Sequence, residues 1–497
     1  MKKPVRAVAA IDLGSNSFHM VVARVTDREL HVIDRLRETV QLATGLDRHH
    51  CLTAKVRRRA LECLARFSQR LRDMPPGSVH AVGTSALRRA RNADVLISEA
   101  ERILGHPIDI ISGREEARLI YLGVSHSLAG NGKRKLVVDV GGGSTEFIIG
   151  ERHEPLYMES LDMGSLSMTA AHFPKGVINN TCMQRAEIAA GLELQNIQTQ
   201  YRRFGWDVAI GASGTILSVM EVIRALGWSE DAITVGALHR LRKMVLAAGH
   251  TRRLSLPGLR PERAPIVPAG LAILSAIFGS LGLERMTTTT GTIREGLLYD
   301  LPGQIPHEDV RERTIKALRN RYEIDTRQGM RVARTAECYL RIVSKAWGLE
   351  DARDGALLSW AAQLHEIGLA VAHSQYHKHG AYLIENSDLS GFTRSEQTIL
   401  AALVRGHRRK FPDAVFQAMP RHTARIARRL CVLLRIAVLL HRNRTDRKLP
   451  TPTLTALPSG LRMRFPRGWL AAHPLTRADL EQESARLKPA RFTLTSV

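Results

Sequence analysis

The 497-residue sequence predicts an α/β fold that is followed by an all-α domain and a small α+β tail. Short β-branched runs alternate with helical periodicity through residues 5–300, whereas helical periodicity dominates residues 307–445. Short alternating segments return after Pro450-Thr451-Pro452. A linker rich in proline and glycine is expected at residues 301–306. We therefore expect four domains, over residues 1–120, 121–302, 303–448 and 449–497.

The α/β region is predicted to contain two successive groups of strands and helices. In the first group, strands are expected near residues 6–12, 18–25, 30–36, 79–83 and 108–111, and helices near 53–73, 92–104 and after Ser112. The second group starts with strands over 136–150 and continues with a strand over 208–210. Residues 264–283 should form a buried helix, because their two prolines occur only at its start.

Composition is that of an ordinary globular protein. Apolar residues make up 44% of the chain and charged residues 24%. We find no uncharged apolar run of the roughly 18 residues that a membrane-spanning helix needs. The five cysteines lack CxxC spacing, which favours reduced thiols and disfavours a cysteine metal site. The Met1-Lys2-Lys3 start lacks a signal-peptide pattern, so we expect a cytoplasmic protein.

The net charge of +24 favours a polyanionic partner. Residues 401–450 contain 13 lysines and arginines against two acidic residues. The candidates are nucleic acid, an acidic membrane surface and a long phosphate polymer, with generic surface charge as the alternative. Few aromatic residues lie among these arginines, and single-stranded nucleic acid would need them as stacking platforms. We therefore expect no specific nucleic-acid partner.

Two segments of the α/β region share one pattern: a β-branched run, Asp, a glycine turn, Ser and a second apolar run. One copy surrounds Asp12-Leu13-Gly14-Ser15-Asn16-Ser17, and the other surrounds Asp139-Val140-Gly141-Gly142-Gly143-Ser144-Thr145-Glu146. Each copy predicts a β-hairpin. Its turn would point backbone N–H groups into one concavity that an anion can approach closely. Two facing hairpins could therefore hold one phosphate group from two sides.

Carboxylates accompany both turns. Asp12 and Asp139 end strands directly before them, where a carboxylate can hold Mg²⁺ directly or through water, and Glu146 is a third candidate. A further glycine–serine turn, Gly211-Ala212-Ser213-Gly214-Thr215, precedes an apolar helix. The alternative is that Asp before Gly only makes a good turn. Two matching copies weaken that alternative.

Glu115 and Glu116 are adjacent but are predicted to differ in role. Ser112 fits a helix N-cap, which places Glu115 at the N3 position of a capping box and gives it a structural role. Glu116 points about 100° further round the helix. It could activate water beside a phosphate, with an ordinary surface glutamate as the alternative.

Arg88 follows the Gly83-Thr84-Ser85 turn and could bind phosphate bidentately. Its neighbours Arg89 and Arg91 show that a solvated charge at a helix start is an equal alternative. No GxxxxGK[ST] loop occurs, which excludes a P-loop enzyme.

The helical region contains histidines and a basic stripe. Histidines at 365, 373, 377, 379 and 407 could form a metal-phosphohydrolase cluster, line a phosphate-binding surface or satisfy local hydrogen bonds. Arg421, Arg425 and Arg428 lie at i, i+4 and i+7 of one amphipathic helix, with Arg435 further along the same side. Arg405, Arg408, Arg409 and Lys410 lie just before that helix.

In combination these motifs resemble bacterial exopolyphosphatases and guanosine pentaphosphate phosphohydrolases, a family of the actin-like ATPase superfamily. The resemblance runs nearly end to end and rests on Asp12 to Phe18, Ile111 to Arg118, Asp139 to Glu146, Gly211 to Thr215 and Arg294-Glu295-Gly296. It implies two actin-like, ribonuclease H-like lobes with a cleft between them, then an HD-like helical domain. His365-Glu366 replaces that domain's His-Asp pair, which puts an independent metal centre there in doubt. A homodimer is implied as well.

The resemblance implies a role for each residue of the cleft. Glu116 corresponds to the catalytic glutamate, and Asp139 and Glu146 to the carboxylates linked to Mg²⁺ or another divalent cation. The implied phosphate-binding residues are Asp12, Gly14, Ser15, Asn16, Ser17, Arg88, Gly141, Gly142, Gly143, Ser144, Thr145, Ser213, Gly214 and Thr215. Arg405, Arg408, Arg409, Lys410, Arg421, Arg425 and Arg428 would tether a polyphosphate chain.

Between the family's two activities, the sequence favours exopolyphosphatase. Gly143 and the segment His373 to His379 resemble that branch, whereas Leu364 to Gly368 resembles both. The expected reaction is stepwise, processive release of orthophosphate from inorganic polyphosphate. The alternatives are removal of the 5′-terminal phosphate of guanosine pentaphosphate, a sugar-kinase-like phosphotransferase and a non-catalytic polyanion-binding regulator.

Overall fold

The computed structural model describes residues 6–26, 29–47, 49–128, 133–301, 310–387, 389, 391–445 and 449–497. The chain forms two compact units, Met1–Pro306 and His307–Val497, which we call unit 1 and unit 2. Most of the predicted linker, and the proposed boundaries at 302/303 and 448/449, lie outside the described residues. No helix in the described ranges is long and apolar enough to cross a membrane.

Unit 1 starts with a five-stranded sheet and its helices. The strands are β1 (Arg6–Leu13), β2 (Ser17–Thr26), β3 (Glu29–Thr39), β4 (Val79–Gly83) and β5 (Ile108–Ile110), in the order β3-β2-β1-β4-β5. The helices are α1 (Ala54–Leu71), α2 (Ser85–Arg89), α3 (Ala93–Leu104) and α4 (Gly113–Ser127). β1 is antiparallel to β2 and parallel to β4. The predicted strands and helices of this part are confirmed.

A six-stranded sheet follows in unit 1. Its strands are β6 (Arg134–Val140), β7 (Thr145–Glu151), β8 (Glu154–Leu161), β9 (Val208–Gly211), β10 (Ala232–Thr234) and β11 (Arg285–Thr288), in the order β10-β11-β9-β6-β7-β8. The helices are α5 (Ser165–His172), α6 (Asn180–Phe204), α7 (Gly214–Ala225), α8 (Val235–Ala248), α9 (Val267–Leu281) and α10 (Ile293–Asp300). The buried α9 confirms the helix predicted over 264–283.

Two glycines allow α4 and α10 to cross at very short range. A Cβ on Gly123 would lie 2.0 Å from the Thr292 carbonyl oxygen, and a Cβ on Gly296 would lie 1.9 Å from that of Leu119. An ion pair joins the same helices, since Arg118 contacts Asp300 at 2.8 Å. This crossing fixes α4, the helix that carries Glu116.

Unit 2 is mainly helical. Its helices are α11 (Val310–Arg321), α12 (Thr326–Trp347), α13 (Ala352–Leu364), α14 (Tyr376–Glu385), α15 (Arg394–Gly406), α16 (Asp413–Gln417), α17 (Arg421–Leu440), α18 (Trp469–Ala472) and α19 (Pro474–Leu487). The strands β12 (Thr453–Leu457), β13 (Gly460–Arg464) and β14 (Thr493–Ser496) form a small sheet. Leu461 and Leu494 of that sheet share one buried core with Leu433 of α17.

Candidate active site

The two glycine turns lie against each other in unit 1. Both form antiparallel hairpins: Leu13 pairs with Phe18 in the first, and Val140 pairs with Thr145 in the second. A Cβ added to Gly142 would lie only 3.0 Å from the Ser15 Cβ. The duplicated sequence pattern therefore corresponds to two facing turns from two different sheets.

The backbones of the two turns match in detail. A Cβ on Gly14 would lie 2.9 Å from the Ser17 carbonyl oxygen, and a Cβ on Gly141 would lie 3.0 Å from the Ser144 carbonyl oxygen. Neither glycine has a positive φ. The first glycine of each turn is therefore required by the close approach of a carbonyl three residues later, and not by a left-handed backbone.

A cavity of about 460 Å³, which we call the cleft, opens between these turns. Most of the predicted site residues line it: Asp12, Gly14, Ser15, Asn16, Ser17, Glu116, Asp139, Gly141, Gly142, Gly143, Ser144, Ser213, Gly214 and Thr215. The described lining does not include Arg88, Thr145 or Glu146. Arg88 contacts the lining through its hydrogen bond to Glu116. Thr145 instead donates its hydroxyl to the Met163 carbonyl, which lies outside the described lining.

The third predicted turn forms the N-terminus of α7. The Ser213 hydroxyl oxygen accepts a hydrogen bond of 3.2 Å from the Ile216 amide and so caps the helix. The Thr215 hydroxyl donates to the Ser165 hydroxyl at 3.3 Å. The amides at the start of this 12-residue helix border the cleft. They offer unpaired donors and a partial positive charge to an anion.

The two adjacent glutamates of α4 have different partners. The Ser112 hydroxyl accepts a hydrogen bond of 3.1 Å from the Glu115 amide, as expected for an N-cap, and the 4%-exposed Glu115 pairs with Arg118 at 2.7 Å. Glu116 lines the cleft, and its Oε2 accepts a hydrogen bond of 2.7 Å from Arg88 Nη1. The same Nη1 donates to the Ile111 carbonyl at 3.0 Å. Arg88 was predicted to bind phosphate, and in the structure its guanidinium holds the Glu116 carboxylate.

Carboxylates crowd the cleft and shift one another's protonation. Burial, with the nearby Glu116 charge, raises the pKa of Asp12 to about 7. Burial and the charges of Glu116 and Asp12 raise the pKa of Asp139 well above its ordinary value. The pKa of Glu146, which lies opposite Asp139 across the β6–β7 hairpin, is raised by burial and by Glu116 and Asp139. Burial and neighbouring negative charges thus disfavour the charged forms of Asp12, Asp139 and Glu146.

This donor set fits the chemistry of Mg²⁺. Asp12, Asp139 and Glu146 provide hard oxygen ligands, and a divalent cation would relieve the mutual repulsion that raises their pKa values. As the described side chains stand, no group of three or more His, Cys, Asp or Glu is arranged to hold a metal ion. The carboxylates would therefore have to move towards a cation to bind it.

Sequence reasoning missed the arginines of the cleft. Four arginines that line it come from three separate segments: Arg37, Arg260, Arg263 and Arg294. A fifth, Arg35, pairs with Glu295. Burial and the charges of Arg37 and Arg260 lower the pKa of Arg263 to about 10. Arg294 Nη1 lies 2.8 Å from His19 Nδ1. Arg294 was noted only as part of a motif. The other three have no common spacing that a sequence pattern could reveal.

In unit 2, the structure brings together only part of the histidine cluster and of the basic stripe. The rings of His365 and His407 lie 5.3 Å apart, and each donates a hydrogen bond from Nδ1 to a backbone carbonyl. Arg435 is 2% exposed and pairs with Glu483, so it does not belong to an exposed stripe as the helical spacing suggested. Arg428 pairs with Asp413 at 2.8 Å. Of the residues predicted to tether a polyphosphate chain, the exposed ones are Arg409, Lys410, Arg421 and Arg425.

The chain is similar to known proteins along nearly its whole length. The model of the Ppx/GppA phosphatase family matches residues 21–304, and that of Ppx/GppA phosphatase domain III matches residues 310–484. A guanosine-5′-triphosphate,3′-diphosphate pyrophosphatase from Vibrio cholerae is 42% identical over 96% of this chain and 95% of its own. One of the same name from Aeromonas hydrophila is 41% identical over 96% of each chain.

Solved structures agree with the fold. An exopolyphosphatase from Cytophaga hutchinsonii is 25% identical and covers 59% of this chain and 97% of its own, with a TM-score of 0.54. A Ppx/GppA family member from Aquifex aeolicus is 22% identical, covers 61% of this chain and 100% of its own, and has a TM-score of 0.52.

Two sheets whose glycine turns face each other across one cleft define a protein of the actin-like fold. The sequence matches then define it further: the chain belongs to the Ppx/GppA phosphatase family. It is accordingly a hydrolase of phosphoanhydride bonds. The predicted family, α/β fold and enzyme class are confirmed.

The sequence matches favour the alternative activity over the predicted exopolyphosphatase activity. The relatives at 41–42% identity bear the name of the alternative activity. The structure also gives Gly143 a packing role, because a Cβ there would lie 2.6 Å from the Ser85 hydroxyl oxygen. Gly143 is therefore a weak indicator of substrate.

Proposed function

We propose that this chain removes the 5′-terminal phosphate of guanosine pentaphosphate. The observation that carries the proposal is the meeting of Glu116 and the two glycine turns in one cleft, which offers a terminal phosphate both amide donors and a carboxylate beside it. The substrate is supported by relatives named as guanosine-5′-triphosphate,3′-diphosphate pyrophosphatases that align with 96% of this chain.

In this proposal, Glu116 takes a proton from water as the water oxygen attacks the terminal phosphorus. The anhydride P–O bond to the next phosphate breaks, which releases orthophosphate and leaves the shortened nucleotide. Arg88 fixes the carboxylate through its 2.7 Å hydrogen bond, which leaves the other oxygen to the water. Backbone amides of residues 14–17, 141–144 and 213–215 bind the phosphoryl oxygens. Bound Mg²⁺, held by Asp139 with Asp12 and Glu146, would neutralise charge on those oxygens. Alignment and charge stabilisation then supply most of the rate.

The arginines of the cleft support a substrate with two separate phosphate groups. Burial, and after it the charges of neighbouring arginines, lower the pKa values of Arg263 and Arg37. An anion bound between these arginines and Arg260 would offset both effects. In the proposal, the glycine turns bind only the terminal phosphate of the substrate. We infer that the arginines bind the 3′-diphosphate of the nucleotide, a group that a linear phosphate chain lacks.

The experiment compares phosphate release from guanosine pentaphosphate and from inorganic triphosphate, with and without Mg²⁺. Arg263→Gln should raise KM for the nucleotide by roughly 10- to 100-fold, the effect of one lost charge-assisted hydrogen bond, and should change KM for triphosphate far less. Arg252→Gln, an exposed arginine of unit 1, is the control. Equal effects of Arg263→Gln on both substrates would contradict the assignment, and no release from the nucleotide would contradict the function.

Inorganic polyphosphate is the second candidate substrate. It is supported by the similarity to a structure named an exopolyphosphatase and by exposed Arg409, Lys410, Arg421 and Arg425 in unit 2. If these residues tether a chain, Arg421→Gln/Arg425→Gln should weaken binding of long chains much more than of short ones. Binding of long chains should also weaken steeply with salt, through counterion release.

A further inference from the structure

A second cavity of about 460 Å³ lies entirely within unit 2, and we call it the arginine pocket. Its lining comes from positions that are distant in sequence, including Gln328 of α12, Tyr376 of α14 and Leu439 of α17. Six arginines line it against two glutamates, Glu366 and Glu483: Arg408, Arg409, Arg435, Arg442, Arg444 and Arg486. Cations therefore outnumber anions in its wall.

Ion pairs account for only part of this excess. Arg435 pairs with Glu483 in the interior, Arg444 pairs with Glu366 and with Asp325, and Arg442 pairs with Asp479. Arg486 reaches Glu483 at 3.8 Å, but Glu483 is already bound by Arg435. If the pocket were only a set of structural ion pairs, each cation would have its own carboxylate. Arg486 has none of its own, because it shares Glu483 with Arg435.

Arg408 and Arg409 add charge that no carboxylate among the described residues pairs with. The Arg408 guanidinium lies 4.4 Å from the centre of the Tyr376 ring, a neutral partner that holds it in position. The Arg409 side chain is exposed, while its carbonyl accepts a hydrogen bond of 2.7 Å from Arg435 Nη2. The Arg408 guanidinium is thus held at the pocket by a neutral ring, and the Arg409 backbone is fixed beside it, while neither charge is compensated by a carboxylate among the described residues.

The rest of the lining restricts the ligand. Guanidinium groups bind phosphate oxygens bidentately, and several of them in one wall suit more than one phosphate group. Val438 and Leu439 add an apolar surface. No metal-binding group of three or more His, Cys, Asp or Glu is found among the described residues, although His365, Glu366 and His407 line the pocket.

We propose that the arginine pocket is a second ligand site, which binds a diphosphate group. The group could belong to a nucleotide or to the end of an inorganic phosphate chain, since both present the same oxygens. The site is separate from the catalysis assigned to the cleft, and the proposal does not depend on which substrate the cleft hydrolyses.

Calorimetry with imidodiphosphate, whose bridging nitrogen resists hydrolysis, tests the site in the full chain. Arg408→Gln/Arg409→Gln should abolish one binding event or weaken it by roughly a hundredfold, because two charge-assisted donors are lost. The matched control Arg334→Gln/Arg341→Gln removes the same charge from exposed positions of α12. Equal binding by these two variants would overturn the proposal.

Hydrogen exchange of the unsubstituted chain gives a test that does not depend on a variant folding. Imidodiphosphate should slow exchange in segments that line the pocket, including residues 376–385 of α14. Protection confined to unit 1 would overturn the proposal. Repeating both measurements with guanosine 3′,5′-bisdiphosphate identifies the source of the diphosphate. Tighter binding of the nucleotide indicates a nucleotide, and equal binding indicates an inorganic chain.

Discussion

The cleft of unit 1 and the arginine pocket of unit 2 have the same volume, about 460 Å³, and both contain arginines, but their carboxylates differ. In the cleft, carboxylates crowd together, and their pKa values rise because burial and mutual repulsion disfavour their charge. In the pocket, carboxylates are paired, the buried histidines are neutral, and arginine charge remains in excess. The cleft therefore favours a cation together with a phosphate, whereas the pocket favours an anion alone.

Replacing one glutamate in each cavity tests this contrast most strongly. Glu116→Gln should lower turnover by about two to four orders of magnitude while substrate binding is kept, because an amide cannot act as a base. Glu366→Gln in the arginine pocket should leave turnover close to that of the parent. Phosphate release and equilibrium binding measure both effects. Normal turnover by Glu116→Gln would remove its assigned role.

The buried ion pair of the arginine pocket should contribute to stability. Glu483→Gln leaves the buried Arg435 charge without a carboxylate, and we expect a loss of about 3–5 kcal/mol in unit 2. Glu481→Gln, on the same helix, removes an exposed carboxylate 3.8 Å from Arg477 and should cost about 0–1 kcal/mol. The free energy of opening from hydrogen exchange of α17 and α19 measures both. Similar values for the two variants would contradict the burial argument.

Asp12 of the cleft and His377, whose ring lies 6.3 Å from that of the pocket residue His407, should make stability respond to pH in opposite directions. The pKa of Asp12 is raised from 3.8 to about 7, so the folded state binds this proton more tightly and stability falls as pH rises through that interval. The pKa of His377 is lowered from 6.5 to about 4 by burial and by Arg408, so stability falls as pH decreases through that interval.

Asp12→Asn should remove the first dependence and His377→Gln the second. Urea unfolding across these pH intervals, without divalent cations, measures the difference of each variant from the parent. The result would contradict the pKa assignments if both variants changed the pH dependence with the same sign.

The smallest expected effect concerns Gly143. In Gly143→Ala the new methyl group would lie 2.6 Å from the Ser85 hydroxyl oxygen, and we expect about 1–3 kcal/mol of destabilisation from overpacking. The ratio of activities on polyphosphate and guanosine pentaphosphate should stay the same. A large change in that ratio would show that Gly143 selects the substrate after all.

The sequence by itself determined the α/β fold, the facing hairpins and most residues of the cleft. Asp12 and Asp139 precede matching turns, and local rules of strand periodicity and turn chemistry are enough to place each one. The same rules separated Glu115 from Glu116, because a capped helix fixes which side chain points where.

The positions and partners of the arginines depend on the tertiary structure alone. Arg37, Arg260 and Arg263 come from distant segments, and their repulsion arises only when the chain brings them to one cavity. Helical spacing suggested that Arg435 was exposed, yet Glu483, 48 residues later, binds it in the interior. A long-range ion pair depends on packing between elements, and no local pattern in the sequence encodes that packing.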